Sequence, residues 1–358
     1  MTIPVLKAVP EDFVVTECLP LSAERNRDAP FQYLKIHKRG YTTFQALDML
    51  ATGLSLPPTA ISAAGLKDED AVTEQLVAVR GRATPAQLDR INTEGSGGED
   101  RWIQVAHAGY GSQDITIGGL HGNSFQLVVR NLDADLGQTL RTVANKRINM
   151  FFVNYYDTQR FGVAGGPKQT HLIGQALLSD DYPHAFELLR ASGSAEGARA
   201  LEHNGDPRSF FTTLDPRTTA FYRSAYSSYH WNRRVGELLV EAAPAEAVEL
   251  TREDIPYVFP TSTDAAIALL TVQREVEYTK YRWRDGAIRR STSSRPTVVQ
   301  SQVNVENVQP DDLFPGSVKA TLSFFLPSGC YATTMVSQLF LRLTCHTSDA
   351  PELAAVVV

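Results

Sequence analysis

The sequence predicts an α+β protein in which one sheet domain is built from both ends of the chain and interrupted by a helix-rich insertion. Two observations carry this. The first third is dominated by short β-like runs, and the middle turns strongly helical before β-like sequence returns near the C-terminal end. An element order of strands, helices and strands is what an insertion into a single sheet domain produces. The expected division is 1–164 with 305–358 for the sheet domain, its sheet mixed or antiparallel, and 165–304 for the insertion.

The individual elements follow from local pattern. Residues 13–19 (FVVTECL) and 32–38 (QYLKIHK) read as strands. From Thr42 the spacing changes, with Phe44, Leu47, Leu50 and Ala51 at helical intervals and Gly53 placed to stop the helix. Thr84, Pro85 and Gln87 have the arrangement of a capping box with proline at the first helical position. The polar run 95–100 is expected as a surface loop. Strands are expected over 101–107 and 114–131, the latter broken by Gly118, Gly119 and Gly122. Leu136, Leu140, Val143 and Ile148 predict a helix over about 134–151. Asp215 and Pro216 open a long helix through Tyr229 and Val235, and SVKATLSFFL at 317–326 is the best late strand.

Bulk properties narrow the class. With 358 residues, 43% hydrophobic and 21% charged, the chain can bury one large or two smaller cores. No stretch approaches the roughly 20 apolar residues of a membrane span, and no basic region joined to an apolar run opens the chain. A cytoplasmic, membrane-free protein is expected. Cys18, Cys330 and Cys345 lack the paired spacing of a zinc site, and their odd number argues against a disulfide framework. No metal is expected. The net charge of −6 is awkward for a protein that handles nucleic acid, but distribution matters more than the sum. Lys280, Arg282, Arg284, Arg289, Arg290 and Arg295 lie among Tyr278, Tyr281 and Trp283 with Asp285 as the single acid between 280 and 295. That is either an RNA-facing stripe or a solvated hairpin whose aromatics pack inward.

The densest chemical signal is GLKDEDAVTEQ at 65–75. Three acids, Asp68, Glu69 and Asp70, stand in a short loop before a strand-like run, and composition alone does not choose among them. Carboxylate chemistry at a glycosidic bond needs at least one; a solvated turn is the alternative.

This segment resembles the signature of the TruD family of pseudouridine synthases, Gly-x-Lys-Asp-x-x-Ala-x-Thr-x-Gln. Four further segments resemble the same family in the same order: DFVVTE at 12–17, HGNSFQLVVRNL at 121–132, NYYDTQRFG at 154–162 and FFLPSGCYAT at 324–333. AYSSYHWN at 225–232 looks like the family's aromatic helix in its inserted region. The resemblance implies a pseudouridine-synthase sheet domain with Asp68 as the catalytic carboxylate. It makes Asn123 and Phe125 the element that lines the uridine pocket, an amide for the edge of an extruded uracil and a ring for its face. Gln159 and Arg160 become polar contacts of the same cleft and Phe161 its packing. Phe13 and Glu17 become supports of the active-site sheet, and Lys67 and Lys35 candidates for RNA contact or for tuning the aspartate. The implied reaction needs no cofactor.

Several positions depart from the family pattern. Residues 28–32 read Asp-Ala-Pro-Phe-Gln, Phe151, Phe152 and Val153 replace a Gly-x-Pro, Asp157 stands where a glycine is typical, and Ser228 where glutamine is frequent. They spare Asp68, Asn123 and Phe125. The resemblance implies tRNA as the partner, modified at uridine thirteen. Two alternatives are a related enzyme acting on another RNA or supplying pseudouridine for a nucleoside natural product, and a non-catalytic protein that binds or folds tRNA. The oligomeric state is not legible.

Overall fold

The chain opens with β1 (Phe13–Cys18) and β2 (Phe31–Arg39), followed by α1 (Thr43–Leu54), whose cap Thr42 accepts from the Gln45 amide. Gly53 does not end α1; the left-handed residue is Ser55 (φ 57°), and Gly53 is small because Ile91 would lie 2.4 Å from its Cβ. Next come β3 (Ile61–Ala63), β4 (Val72–Val79) and α2 (Pro85–Glu94), which has the expected Thr84–Gln87 capping box. After β5 (Trp102–Gly111) the glycine-rich stretch is a turn, and strand resumes only at β6 (Gly122–Leu132). Ile117, within the expected strand, lies outside the described residues, which in this computed structural model are 4–116 and 118–345.

The helix expected over 134–151 is shorter. α3 (Ala134–Val143) ends where Asn145 turns left-handed (φ 59°), and Arg147–Val153 is a strand, β7. The aromatic and β-branched run at 148–153 favours extended backbone over the helix that the spacing of Leu136, Leu140, Val143 and Ile148 predicts.

Then follow α4 (Thr170–Leu178), α5 (Tyr182–Arg190), α6 (Ala195–Glu202), α7 (Pro207–Thr213) and the long α8 (Pro216–Ala242), capped by Asp215. A β-ribbon of β8 (Ala247–Arg252) and β9 (Ile255–Pro260), α9 (Thr263–Val272) and a hairpin of β10 (Glu275–Arg284) and β11 (Ala287–Pro296) come next. The chain closes with β12 (Val298–Pro310), β13 (Val318–Pro327) and α10 (Ala332–Cys345). Among the described residues no helix is long and apolar enough to cross a membrane.

Two units result. The first runs to Asn149 and is completed by Ser301–Gly329; the second comprises Met150–Gln300 and the chain from Cys330. In the first, strands run in the order β5-β2-β4-β1-β6-β13-β12, with β3 beside β4. Only β1 and β4 pair in parallel among these, so the sheet is mixed and the fold α+β. Strand β13, from late in the chain, lies between β6 and β12. Leu34, Ile36, Leu50, Val77 and Ile103 form one of its cores.

The division differs from the sequence expectation. Residues 150–164 and α10, expected with the sheet domain, pack in the second unit. Tyr155, Tyr156 and Phe161 join Trp231, Tyr257 and Phe259 in one aromatic core, and Gln338 of α10 satisfies both backbone groups of Val153 (2.8 and 2.9 Å).

Candidate active site

Asp68 sits in the loop between β3 and β4, and that loop is tied from beneath. The Lys67 amide donates to the Thr43 hydroxyl (2.8 Å), which donates to Gln75 of β4 (3.2 Å). Lys38, fully buried on β2, donates to the carbonyls of Tyr41 (2.7 Å), Asp68 (2.9 Å) and Lys67 (3.5 Å). Burial pushes the Lys38 ammonium down to about 8, against the opposing pull of Asp68 and Glu69. The backbone at Asp68 is therefore fixed while its carboxylate stays half-exposed.

That carboxylate meets an ammonium and, through it, aromatic rings. Lys7 Nζ lies 3.0 Å from Asp68 Oδ2 and 4.2 Å over the Phe13 ring. Phe13 meets Phe125 edge-on (6.1 Å, 77°), and Phe125 stacks on Phe324 (5.3 Å, 23°). Lys67 turns the other way and pairs with the buried Glu17 at 2.8 Å.

Register explains why these groups converge. Glu17 is opposite Asn123, and Val15 is opposite Phe125 across β1 and β6. Directly opposed residues and residues two apart share a face. Phe13, Glu17, Asn123 and Phe125 thus lie on one face, with Thr73 and Gln75 of β4 beside them through the Val15–Thr73 pairing. Gly122 precedes Asn123 because any Cβ there would sit 2.2 Å from the Leu326 carbonyl.

This face is rich in polar groups with nothing to bond. Among the described residues the Thr73 hydroxyl, the Gln75 amide nitrogen and the Asn123 amide oxygen are buried without hydrogen-bond partners, and one carboxylate oxygen of Glu17 is likewise unmatched. Buried polar groups are almost always satisfied, so several orphans on one face mark a place where something polar binds.

Gln159 and Arg160 belong to the second unit. Gln159 is exposed, while Arg160 donates to Ser228 (3.3 Å) and lies 4.6 Å over Phe221. Asp157 is explained by packing: it pairs with the buried Arg252 (3.0 Å) and accepts from the Thr333 hydroxyl. Lys35 pairs with Glu74 (3.0 Å) on the sheet surface.

The basic stripe is a true hairpin turning at Asp285 and Gly286, but Arg295 is not part of its surface. It is buried, bonds to Asn154 (2.8 and 2.9 Å) and lies 4.0 Å over Tyr156. Arg282, Arg284, Arg289 and Arg290 are exposed, with Arg282 directly opposite Arg289 and no ion pair to any of the four among the described residues. Lys7 and Lys38 were not singled out from sequence; lone lysines 61 and 30 positions from Asp68 carry no local pattern.

Fold and site together define an α+β protein with the half-exposed Asp68 carboxylate beside a polar sheet face. The family model for tRNA pseudouridine synthase D (TruD) matches residues 2–199, and the chain belongs to that family. A protein of Methanococcus maripaludis named "Probable tRNA pseudouridine synthase D 1" is 24% identical over 92% of this chain and 97% of its own length. The tRNA pseudouridine synthase D of Geobacter sulfurreducens is 30% identical over 54% of this chain, but the match spans only 44% of that protein. A crystal structure from Methanosarcina mazei described as a tRNA pseudouridine synthase D (TruD) shares the fold, with a TM-score of 0.58 at 18% identity over 93% of this chain and 92% of that one.

Proposed function

We propose that this chain isomerises uridine to pseudouridine in tRNA, at position thirteen, with Asp68 as the catalytic carboxylate. The observation that carries the reading is the set of orphaned polar groups on the sheet face that also bears Phe13 and Phe125. Uracil offers two carbonyl acceptors and one N–H donor. The Gln75 amide nitrogen and the Thr73 hydroxyl supply donors, and the Asn123 amide oxygen supplies an acceptor.

The flipped uridine is held by this face and by ring stacking. Asp68 participates in breaking the bond between N1 and the ribose, the detached uracil turns within the pocket, and a C5–C1′ bond forms as C5 gives up its proton and N1 gains one. Atoms balance, because the product is an isomer. Lys7 places an ammonium 3.0 Å from the Asp68 carboxylate, a positive charge beside the group that carries the step. Glu17 and Lys67, mutually neutralising, keep the buried floor free of net charge. The exposed guanidinium groups of the β10–β11 hairpin support RNA as the substrate, since an unpaired cluster of like charge is stabilised by phosphate.

The test is nucleoside analysis after incubation with tRNA transcripts that carry uridine or cytidine at position thirteen. Wild type should form pseudouridine only in the former. Asp68→Asn should abolish turnover while leaving the RNA dissociation constant within about twofold. Turnover near wild type in Asp68→Asn would remove Asp68 from the chemistry, and product in some other RNA alone would reassign the substrate.

A further inference from the structure

The first unit holds a second cavity, of about 800 Å³, lined by residues of the 24–32 segment, the start of α2 and the end of β5. That volume is within the roughly 300–1,000 Å³ typical of ligand pockets. Its walls combine an aromatic pair with guanidinium groups: His107, Tyr110, Arg25, Arg27 and Arg82, against the single acid Glu24.

The aromatic pair exists because the strand is bent for it. In a regular strand residues three apart point to opposite faces. Here Tyr33 pairs with Gly109 and Leu34 with His107, so Ala108 is an extra residue in β5. The bulge brings His107 and Tyr110 to one side, their ring centroids 4.8 Å apart. Gly109 permits it, with φ 121° and only 2.6 Å between an added Cβ and Ala23.

Hydrogen bonds fix the polar side of the cavity. The Ala83 amide donates to Gln32 Oε1 (2.7 Å), which fixes the orientation of that buried amide, so Gln32 Nε2 donates to His107 Nδ1 (3.0 Å). His107 therefore carries its proton on Nε2. Arg82 lies 5.4 Å over Tyr110 and is anchored by the carbonyls of Arg27 (2.6 Å) and Ala29. Arg25 and Arg27 have no ion pair among the described residues. Segment 28–32, where the sequence departs from the family pattern, thus supplies two of these anchors.

We propose that this cavity is a second nucleotide subsite, which takes one unpaired nucleotide of the substrate RNA by stacking its base on the His107–Tyr110 pair and pairing its phosphate with Arg25 and Arg27. It rests on the reading of the protein as an RNA-modifying enzyme. A base suits the site better than an acidic peptide, whose carboxylates would use the guanidinium groups and leave the built ring pair idle.

The test measures affinity for a fluorescein-labelled tRNA transcript across a salt series, with kcat and KM for pseudouridine formation. Tyr110→Ala should weaken binding by about 5- to 150-fold, the range that loss of one base–aromatic stack gives. Tyr110→Phe should bind as wild type, because the Tyr110 hydroxyl makes no hydrogen bond among the described residues. The double variant Arg25→Ala/Arg27→Ala should reduce the salt dependence by about two counterions. In Tyr110→Ala and in the double variant KM should rise and kcat stay, since the lost contacts are not to the reacting uridine. Wild-type affinity and salt dependence in Tyr110→Ala and in the double variant would overturn the subsite, as would a wild-type protein that binds no RNA. An effect of the arginines without one of Tyr110 would reduce it to a phosphate patch and overturn it equally. Should binding fall as expected while wild type forms no pseudouridine in any RNA, the subsite stands and the reaction assigned above fails.

Discussion

At the scale of single residues, the site joins what a motif shows and what only folding brings together. Asp68, Asn123 and Phe125 are legible because each stands in a recognisable run of sequence. Lys7 and Lys38 are not, because a contact made across 61 or 30 positions leaves no periodic trace. Lys38 is where pH should act. Its ammonium holds the Asp68 backbone from a buried position and is pushed down to about 8 by that burial. As pH rises through 8 it loses the charge and one of three donors, and the loop is less firmly tied. We expect kcat to fall with an apparent pKa near 8, and Lys38→Met to lower kcat about tenfold and flatten that limb. Stability should move the other way. The folded state releases this proton near 8 and the unfolded chain near about 10.4, so the unfolded state binds more protons between those values and the contribution of Lys38 to stability rises with pH there. Kinetics and melting curves of wild type against Lys38→Met separate the two effects; parallel changes in both would deny Lys38 its positioning role.

At the scale of elements, helix caps were the most legible features and strand starts within glycine-rich or ambiguous runs the least. Thr84 and Asp215 cap as their neighbours predict, because a cap is decided within four residues. The run after α3 is a strand where a helix was expected, because the apolar spacing continues to Ile148, past the point where Asn145 breaks the helix. The packing of α4 on α8 carries a consequence that no sequence window shows. His171 of α4 is buried, stacks on Tyr229 of α8 (4.2 Å, 14°) and has no partner for Nδ1 among the described residues. Burial, with a smaller contribution from His230, pushes it down to about 4. Between about 6.5 and 4 the unfolded chain takes up a proton that the folded one refuses, so stability is lost as pH falls through that window, by on the order of 3 kcal/mol. His171→Phe keeps the stack and removes the titration. Its melting temperature should match wild type at pH 8 and exceed it at pH 5; an equal acid loss in both would place the sensitivity elsewhere.

At the scale of the whole molecule, the return of the chain to its first sheet was legible from element order, but its exact seam was not. The position of α10 depends on which core Gln338 and its neighbours can satisfy, and sequence order says nothing of that. What secures the return is a buried charge cluster. Arg130 of β6 pairs with Asp12 just before β1 (2.8 Å) and with Asp311 just after β12 (2.9 Å), and Asp311 also accepts from the Asn131 amide. Those hydrogen bonds outweigh burial and hold the Asp311 carboxyl below its usual range, while the surrounding carboxylates raise the guanidinium of Arg130. Three segments, one at each end of the chain and one between, are thus joined at one guanidinium. Replacing it leaves two buried carboxylates uncompensated, which costs about 3–5 kcal/mol even where the intact cluster adds little net stability. We therefore expect Arg130→Met to lose that much in urea unfolding. Asp12→Asn added to Arg130→Met should recover part of the loss, because it removes one of the stranded charges. A cost below about 1 kcal/mol, or strictly additive losses in the double variant, would mean that apolar packing of β13 between β6 and β12 closes the sheet without help from the charges.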